Sequence, residues 1–300
     1  MRLPRILAPI ALTAVALLGL SACAASAVDS TVPSDYSMAQ ADRSDMPDAI
    51  KKILDSGRIT VGTKFDQPLT GLRDDATGRI EGFDAEIARI IAQRIFGDVG
   101  EGDNLDFIET VSKNREKYLG YKHHSVVDLV IGTYSISADR QKMVDFAGPY
   151  YEAGQSIMTR KGDHIDKVSQ LSGKKVCTAK GSTSVENVMK LNKSAKPTIL
   201  SDYSSCRKAL LDKQVDAVTT DNVILYGYAD QDPDELEVSK KTFSSEPYGV
   251  GIHNNSPEVV KFINDTLKLA FSNGDWQAAF NRTLGAAGVA LPKTPKITTD

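Results

Sequence analysis

From residue 57 onward the chain alternates short β-prone runs with apolar stripes at helical spacing, and this alternation constrains its fold more than any other feature. Residues 58–63 form the first β-prone run, directly after Gly57. Phe83, Ile87, Ile90, Ile91 and Ile95 then recur at the spacing that lines one face of a helix. Further strand-like runs fall at 105–111, 126–131, 155–159, 174–178, 198–200, 215–219 and 248–252. Helical patterns fall at 185–191, 204–213, 221–229, 258–271 and 275–284. The run 126–131 is almost continuously apolar, as strands buried on both faces are. Strands alternating with helices predict an α/β protein with mostly parallel sheets.

The segment before residue 46 reads differently. Residues 1–22 carry Arg2 and Arg5 and then an apolar run over 6–20, with Pro4 and Pro9 near its start. The run is shorter than the roughly 20 residues that span a bilayer, so it predicts a secretory signal peptide. Leu20-Ser21-Ala22-Cys23 resembles the bacterial lipobox, which implies lipidation at Cys23. The alternative is a plain signal peptide cut at the small residues Ala22-Cys23-Ala24. Residues 24–45 are rich in Ala, Ser, Thr and Asp and show no sustained period, which predicts a flexible tether over 23–45. The expected location is that of an exported bacterial lipoprotein on the outer face of the cell membrane.

An exported chain bears on the other cysteines. Setting Cys23 aside leaves Cys177 and Cys206, an even pair that predicts a disulfide. His123, His124, His164 and His253 stand at no metal-pair spacing and beside no cysteine, so no metal is expected. Phosphate-loop, serine-hydrolase and zinc-protease motifs are lacking, and no cofactor is expected. The net charge of -3 argues against nucleic acid as a partner.

Candidate ligand groups gather after strands. Lys64 follows the first run, and Arg115 lies just beyond 105–111. Thr133, Ser135 and Arg140 follow 126–131; Ser182 and Thr183 follow 174–178 and open a helix; Asp221 follows 215–219. Ligands in open α/β sheets bind outside the carboxyl ends of strands. Each residue alone is more often a solvated loop group, and Asp221 can equally cap the helix it precedes.

Several stretches then carry a resemblance. They are Gly82-Phe83-Asp84-Ala85-Glu86, the run from Asp128 to Arg140 through Gly132-Thr133-Tyr134-Ser135, Phe146-Ala147-Gly148-Pro149-Tyr150, Lys180-Gly181-Ser182-Thr183 and Val215-Asp216-Ala217 to Asp221. Together they resemble the amino-acid-type periplasmic solute-binding proteins of ABC importers, over about 57–285. The cysteine pair and Lys64, Ser112 and Arg115 look most like the glutamate/aspartate-binding lipoproteins.

The resemblance implies a type II periplasmic binding protein fold with a hinge and a central cleft. Lobe one would be 46–151 plus 247–300, and lobe two 152–246. It implies an importer permease as partner, membrane attachment through the lipid, and L-glutamate or L-aspartate as ligand. Arg140 would fork onto the α-carboxylate, with Ser135, Ser182 and Thr183 as further donors. Asp221 and Thr133 would receive the α-ammonium, and Lys64 and Arg115 would face the side chain. An enzyme on this fold would need a general acid in the cleft, for which Glu109 and Glu116 are the nearest residues; binding without catalysis is expected. A sensor that signals to a membrane regulator would use the same cleft.

Overall fold

The computed structural model describes residues 36–299, so the signal-peptide and Cys23 readings lie outside the described residues. The first half runs α1 (Asp48–Ser56), β1 (Ile59–Thr63), β2 (Asp66–Gln67), β3 (Gly71–Arg73), β4 (Ile80–Glu81), α2 (Phe83–Phe96), β5 (Leu105–Glu109), α3 (Arg115–Tyr118), β6 (Leu129–Val130) and β7 (Asp145–Ala153). The chain continues through β8 (Gln155–Arg160), β9 (Lys175–Ala179), α4 (Ser184–Leu191), β10 (Lys196–Leu200), α5 (Tyr203–Leu211), β11 (Ala217–Asp221), α6 (Asn222–Gln231) and β12 (Leu236–Val238). It closes with β13 (Glu246–Ile252), α7 (Pro257–Asn273) and α8 (Asp275–Arg282).

Two five-stranded sheets result, ordered β5-β1-β6-β13-β7 and β10-β9-β11-β8-β12. Each is parallel on one side, at β5-β1-β6 and at β10-β9-β11. Each is antiparallel on the other, because β13 pairs antiparallel with β6 and β7, and β8 with β11 and β12. The α/β class stands, with pairing more evenly mixed than the alternation suggests. The reason is the crossover. Strand β7 leaves the first sheet and continues across Gly154 into β8 of the second, and β13 returns with Glu246 opposite Ala153. A third, small antiparallel sheet joins β2, β3 and β4, whose two- and three-residue strands are too short to show a period.

Local chemistry explains where elements stop. Helix α1 ends at Gly57, which adopts φ 73° and returns its N–H to the carbonyl of Leu54. Helix α5 starts on Asp202, whose carboxylate accepts the Ser205 N–H at 2.8 Å. Helix α7 has Pro257 in its first turn, where a missing N–H costs nothing. The expected disulfide is present: Cys177 on β9 meets Cys206 on α5 with Cα atoms 5.5 Å apart.

Helix α2 and the tether depart from expectation together. The sequence shows one apolar stripe on α2, yet the helix is buried from Phe83 through Gln93 and again at Ile95. Its outer side is covered by residues 36–46, of which the composition assigned 36–45 to a flexible tether. Tyr36, Met38, Ala41 and Met46 are buried there and join the main core. Gln93 donates to the carbonyls of Tyr36 and Met38 at 3.1 and 2.9 Å, and Asp275 accepts both the N–H and the hydroxyl of Ser37. Tyr36 also donates to the carboxylate of Glu86. The tether reading is corrected over 36–45: Tyr36 and Met38, with Met46 just beyond, suffice to strap down an otherwise small and polar segment, and an averaged composition conceals them.

Candidate functional site

Charged side chains collect where the two sheets' carboxyl ends face each other. Lys64, directly after β1, is 3% exposed, and Arg115, at the start of α3, is 2% exposed. Arg140, Asp84, Asp221 and Glu246 are also buried. Buried charges persist only when paired or hydrogen-bonded, so their partners define the site.

On the first sheet's side, Lys64 Nζ donates to the carbonyl of Thr110 at 2.8 Å and to Ser112 Oγ at 3.0 Å. Burial, reinforced by the positive charge of Arg115, holds its amine well below the usual lysine range. Arg115 is held more completely: Nε donates to Ser112 O, Nη1 to the carbonyls of Gly132 and Thr133, and Nη2 to Gly181 O at 3.1 Å. Its guanidinium lies 4.2 Å from the ring centre of Tyr134, and that of Arg140 lies 4.9 Å from the same ring. One aromatic ring therefore steadies two like-charged forks. Arg140 donates to Ser135 O at 2.6 Å and to Gly181 O at 3.2 Å, and Glu116 stands 3.9 Å from its Nε. Burial, then the charge of Arg115, brings Arg140 down to about 10. Asp139 pairs with Lys142 instead of Arg140.

Asp84 was not singled out from the sequence, although it sits inside one of the motifs. It opens α2 and is fully buried, with Oδ2 accepting the Thr133 N–H at 2.8 Å and Oδ1 accepting the Tyr150 hydroxyl at 2.6 Å. Burial pushes its carboxyl up to about 6. The bond to Thr133 pins a β-branched residue at φ 45°, a left-handed conformation that needs outside support. Thr133 Oγ1 turns to Gln67 Oε1 at 3.1 Å.

On the second sheet's side, Asp221 ends β11 and stands at the N-cap position of α6, yet its side chain caps nothing. Its Oδ2 accepts the Tyr248 hydroxyl at 2.7 Å, while Oδ1 is buried without a hydrogen-bond partner among the described residues. Burial, then the charge of Glu246, raises its carboxyl to about 7. Ser182 and Thr183 are used internally. Ser182 Oγ donates to Ala179 O at 2.8 Å, and Thr183 Oγ1 donates to Glu246 at 2.9 Å. Glu246 also accepts from Asn187 and Ser244 and so ties α4 to the returning strand.

The structure thus brings Lys64, Arg115, Thr133, Arg140 and Asp221 to one buried junction, and Ser135 joins it through its carbonyl. The hydroxyls of Ser182 and Thr183 point into their own loop and to Glu246, which leaves that loop's backbone facing the junction. Glu109 is exposed, and Glu116 accepts from the Tyr134 hydroxyl at 2.7 Å beside Arg140. Asp84, Tyr248, Glu246 and the Gly181 carbonyl are the parts that the sequence did not single out. Asp221 and the Gly181 loop belong to one lobe and the two arginines to the other, so cations come to the junction from one side and an unpartnered carboxylate oxygen from the other.

Comparison with known proteins shows what the chain is similar to. Residues 59–286 match the bacterial extracellular solute-binding proteins, family 3. The glutamine-binding protein of Geobacillus stearothermophilus is 37% identical over 259 residues, covering 86% of this chain and 96% of that protein. The glutamate-binding protein GluB of Corynebacterium glutamicum is 32% identical over 252 residues, covering 81% and 84%. Among solved structures, an ancestral arginine-binding protein bound to arginine superposes with a TM-score of 0.69 at 32% identity, over 76% of this chain and 99% of that one. The solute receptor for L-cysteine of Neisseria gonorrhoeae superposes at 0.73 with 25% identity, over 79% and 94%. With a family match spanning most of the chain and a two-lobed fold shared with these structures, the protein belongs to the bacterial extracellular solute-binding proteins of family 3.

Proposed function

We propose that this protein captures an L-amino acid between its lobes, glutamate in preference to glutamine, and delivers it to an ABC importer. The observation that carries the reading is that one buried junction holds Arg140, with N–H groups left over, in one lobe and Asp221 Oδ1, without a partner among the described residues, in the other. A guanidinium with donors to spare takes the α-carboxylate, and a buried acceptor without a partner takes the α-ammonium. Relatives named for glutamine, glutamate and arginine fit an α-amino-acid site whose side-chain end varies.

Preference for an acid rests on Lys64. Arg115 already serves four backbone carbonyls, so it adds positive charge more than open donors. Lys64 uses two of its three N–H groups. A side-chain carboxylate would take the third and restore a charge that burial and Arg115 disfavour; an amide would not. Aspartate shares that charge and is the second acid to compare. Cys23 lipidation would keep the body at the membrane face where the permease lies.

Calorimetric titration with L-glutamate, L-glutamine, L-aspartate and L-asparagine tests the reading. Glutamate is expected to bind at least tenfold more tightly than glutamine, about 1.4 kcal/mol, and Lys64→Met to erase that ratio. Tighter binding of glutamine than of both acids, or an unchanged ratio in Lys64→Met, refutes the acidic preference. Failure of all four to bind refutes the site.

A further inference from the structure

Two glycines bring the backbones of the two lobes into contact. Gly181, in the loop between β9 and α4, has φ 82°, and a Cβ there would stand 2.5 Å from Lys113 Cα and 2.7 Å from Lys113 N. Those atoms belong to the backbone of lobe one and cannot turn aside as a side chain would. Gly227, in α6, lies against Pro68 in the same manner: a Cβ would stand 2.4 Å from the Pro68 carbonyl oxygen. Each contact is flanked by hydrogen bonds between the lobes. The Gly181 carbonyl accepts from both Arg115 and Arg140. Beside Gly227, Tyr228 donates to the Asp66 carbonyl at 2.8 Å, and the Ser204 N–H reaches the Asp66 carboxylate at 3.3 Å.

We infer that Gly181 is a positioning residue for ligand capture. Its carbonyl aims the two guanidiniums, and its missing side chain lets the lobes come fully together, with Gly227 and Asp66 as the second clasp. The role of the aimed arginines rests on the amino-acid reading above, whereas the closure itself does not. Every group in both clasps belongs to the protein, so lobe contact is built into the chain and the ligand adds to it. A methyl group at 181 would prop the lobes apart at the edge where Arg140 must sit, and would weaken every amino acid alike, whatever its side chain.

Gly162 supplies the control. It also lies in lobe two and has φ 85°, but a Cβ there would meet nothing within 4 Å. Gly162→Ala therefore carries a similar left-handed backbone penalty without touching lobe one. Three proteins are compared: wild type, Gly181→Ala and Gly162→Ala. Small-angle X-ray scattering is recorded without added amino acid and with excess L-glutamate or L-glutamine, and affinities are measured by calorimetry. Gly181→Ala is expected to have the larger radius of gyration in every condition and to lose tenfold or more in affinity for both amino acids equally. Gly162→Ala should match wild type in radius and affinity. Equal radii for wild type and Gly181→Ala without added amino acid overturn the inference, as does unchanged affinity. If wild type binds neither amino acid, the amino-acid reading fails, and the scattering comparison without ligand still decides the role of Gly181.

Discussion

Asp221 carries a pH dependence whose sign follows from its surroundings. Burial and Glu246 raise its carboxyl, and Tyr248, Arg140 and Arg115 pull the other way without cancelling the rise to about 7. A ligand ammonium needs the ionised form, so binding below that value must expel a proton. Affinity should therefore fall as pH drops from 8 to 5, by up to about tenfold per unit once below the folded value, and titrations across that range check it. An affinity that is flat over those three units would remove Asp221 from the ammonium role. Folding without ligand responds in the opposite sense. The unfolded carboxyl ionises near 3.8 and the folded one near 7, so this group's contribution to stability is lost as pH rises through that window. The residue types at the junction were legible in the sequence because chemistry follows from identity. Their partners were not. Asp84 reads as an acid in a helix's first turn until the fold sets it against Thr133, 49 positions away.

Among the elements, the strap over 36–46 shows how an averaged property conceals a specific one. Met38 is 2% exposed against a core that includes Ile91 and Ile95. Met38→Ala should cost about 2–5 kcal/mol, the usual range for truncating a buried large side chain, and urea denaturation measures it. A cost below about 0.5 kcal/mol, the level of an ordinary surface change, would show that the strap contributes nothing to folding. The regular elements were more legible. Strand β9, helices α4 and α5 and the Cys177–Cys206 pair stand close to where spacing and parity put them. Strand β6 spans only Leu129–Val130 of the apolar run 126–131, because the residues before it form a turn near Tyr118 and its pairing is short. Helix periodicity survives averaging over 8 to 17 residues, whereas strands of two or three residues leave too few positions to count.

For the whole molecule, two lobes closing on a ligand make stability depend on ligand concentration. At about a thousandfold excess over Kd a bound ligand adds about 4 kcal/mol, which for a chain of this size raises the midpoint on the order of 10 °C. Thermal scans against the twenty amino acids should show that rise for the accepted ligand and none for the rest; no rise with any of them would contradict capture between the lobes. The linear sequence by itself determined the α/β alternation, the positions of helices α2 and α4 to α8, the cysteine pairing and the kinds of charge that follow the strands. These are local properties, set by backbone conformation and side-chain chemistry within a few residues. Only the tertiary structure decided that residues 36–46 cover α2, and that Arg115 and Arg140 share one carbonyl of the opposite lobe. Those outcomes depend on which surfaces meet over separations of 41 to 66 positions or more, and contact at that range is chosen by packing and burial, which no local pattern encodes.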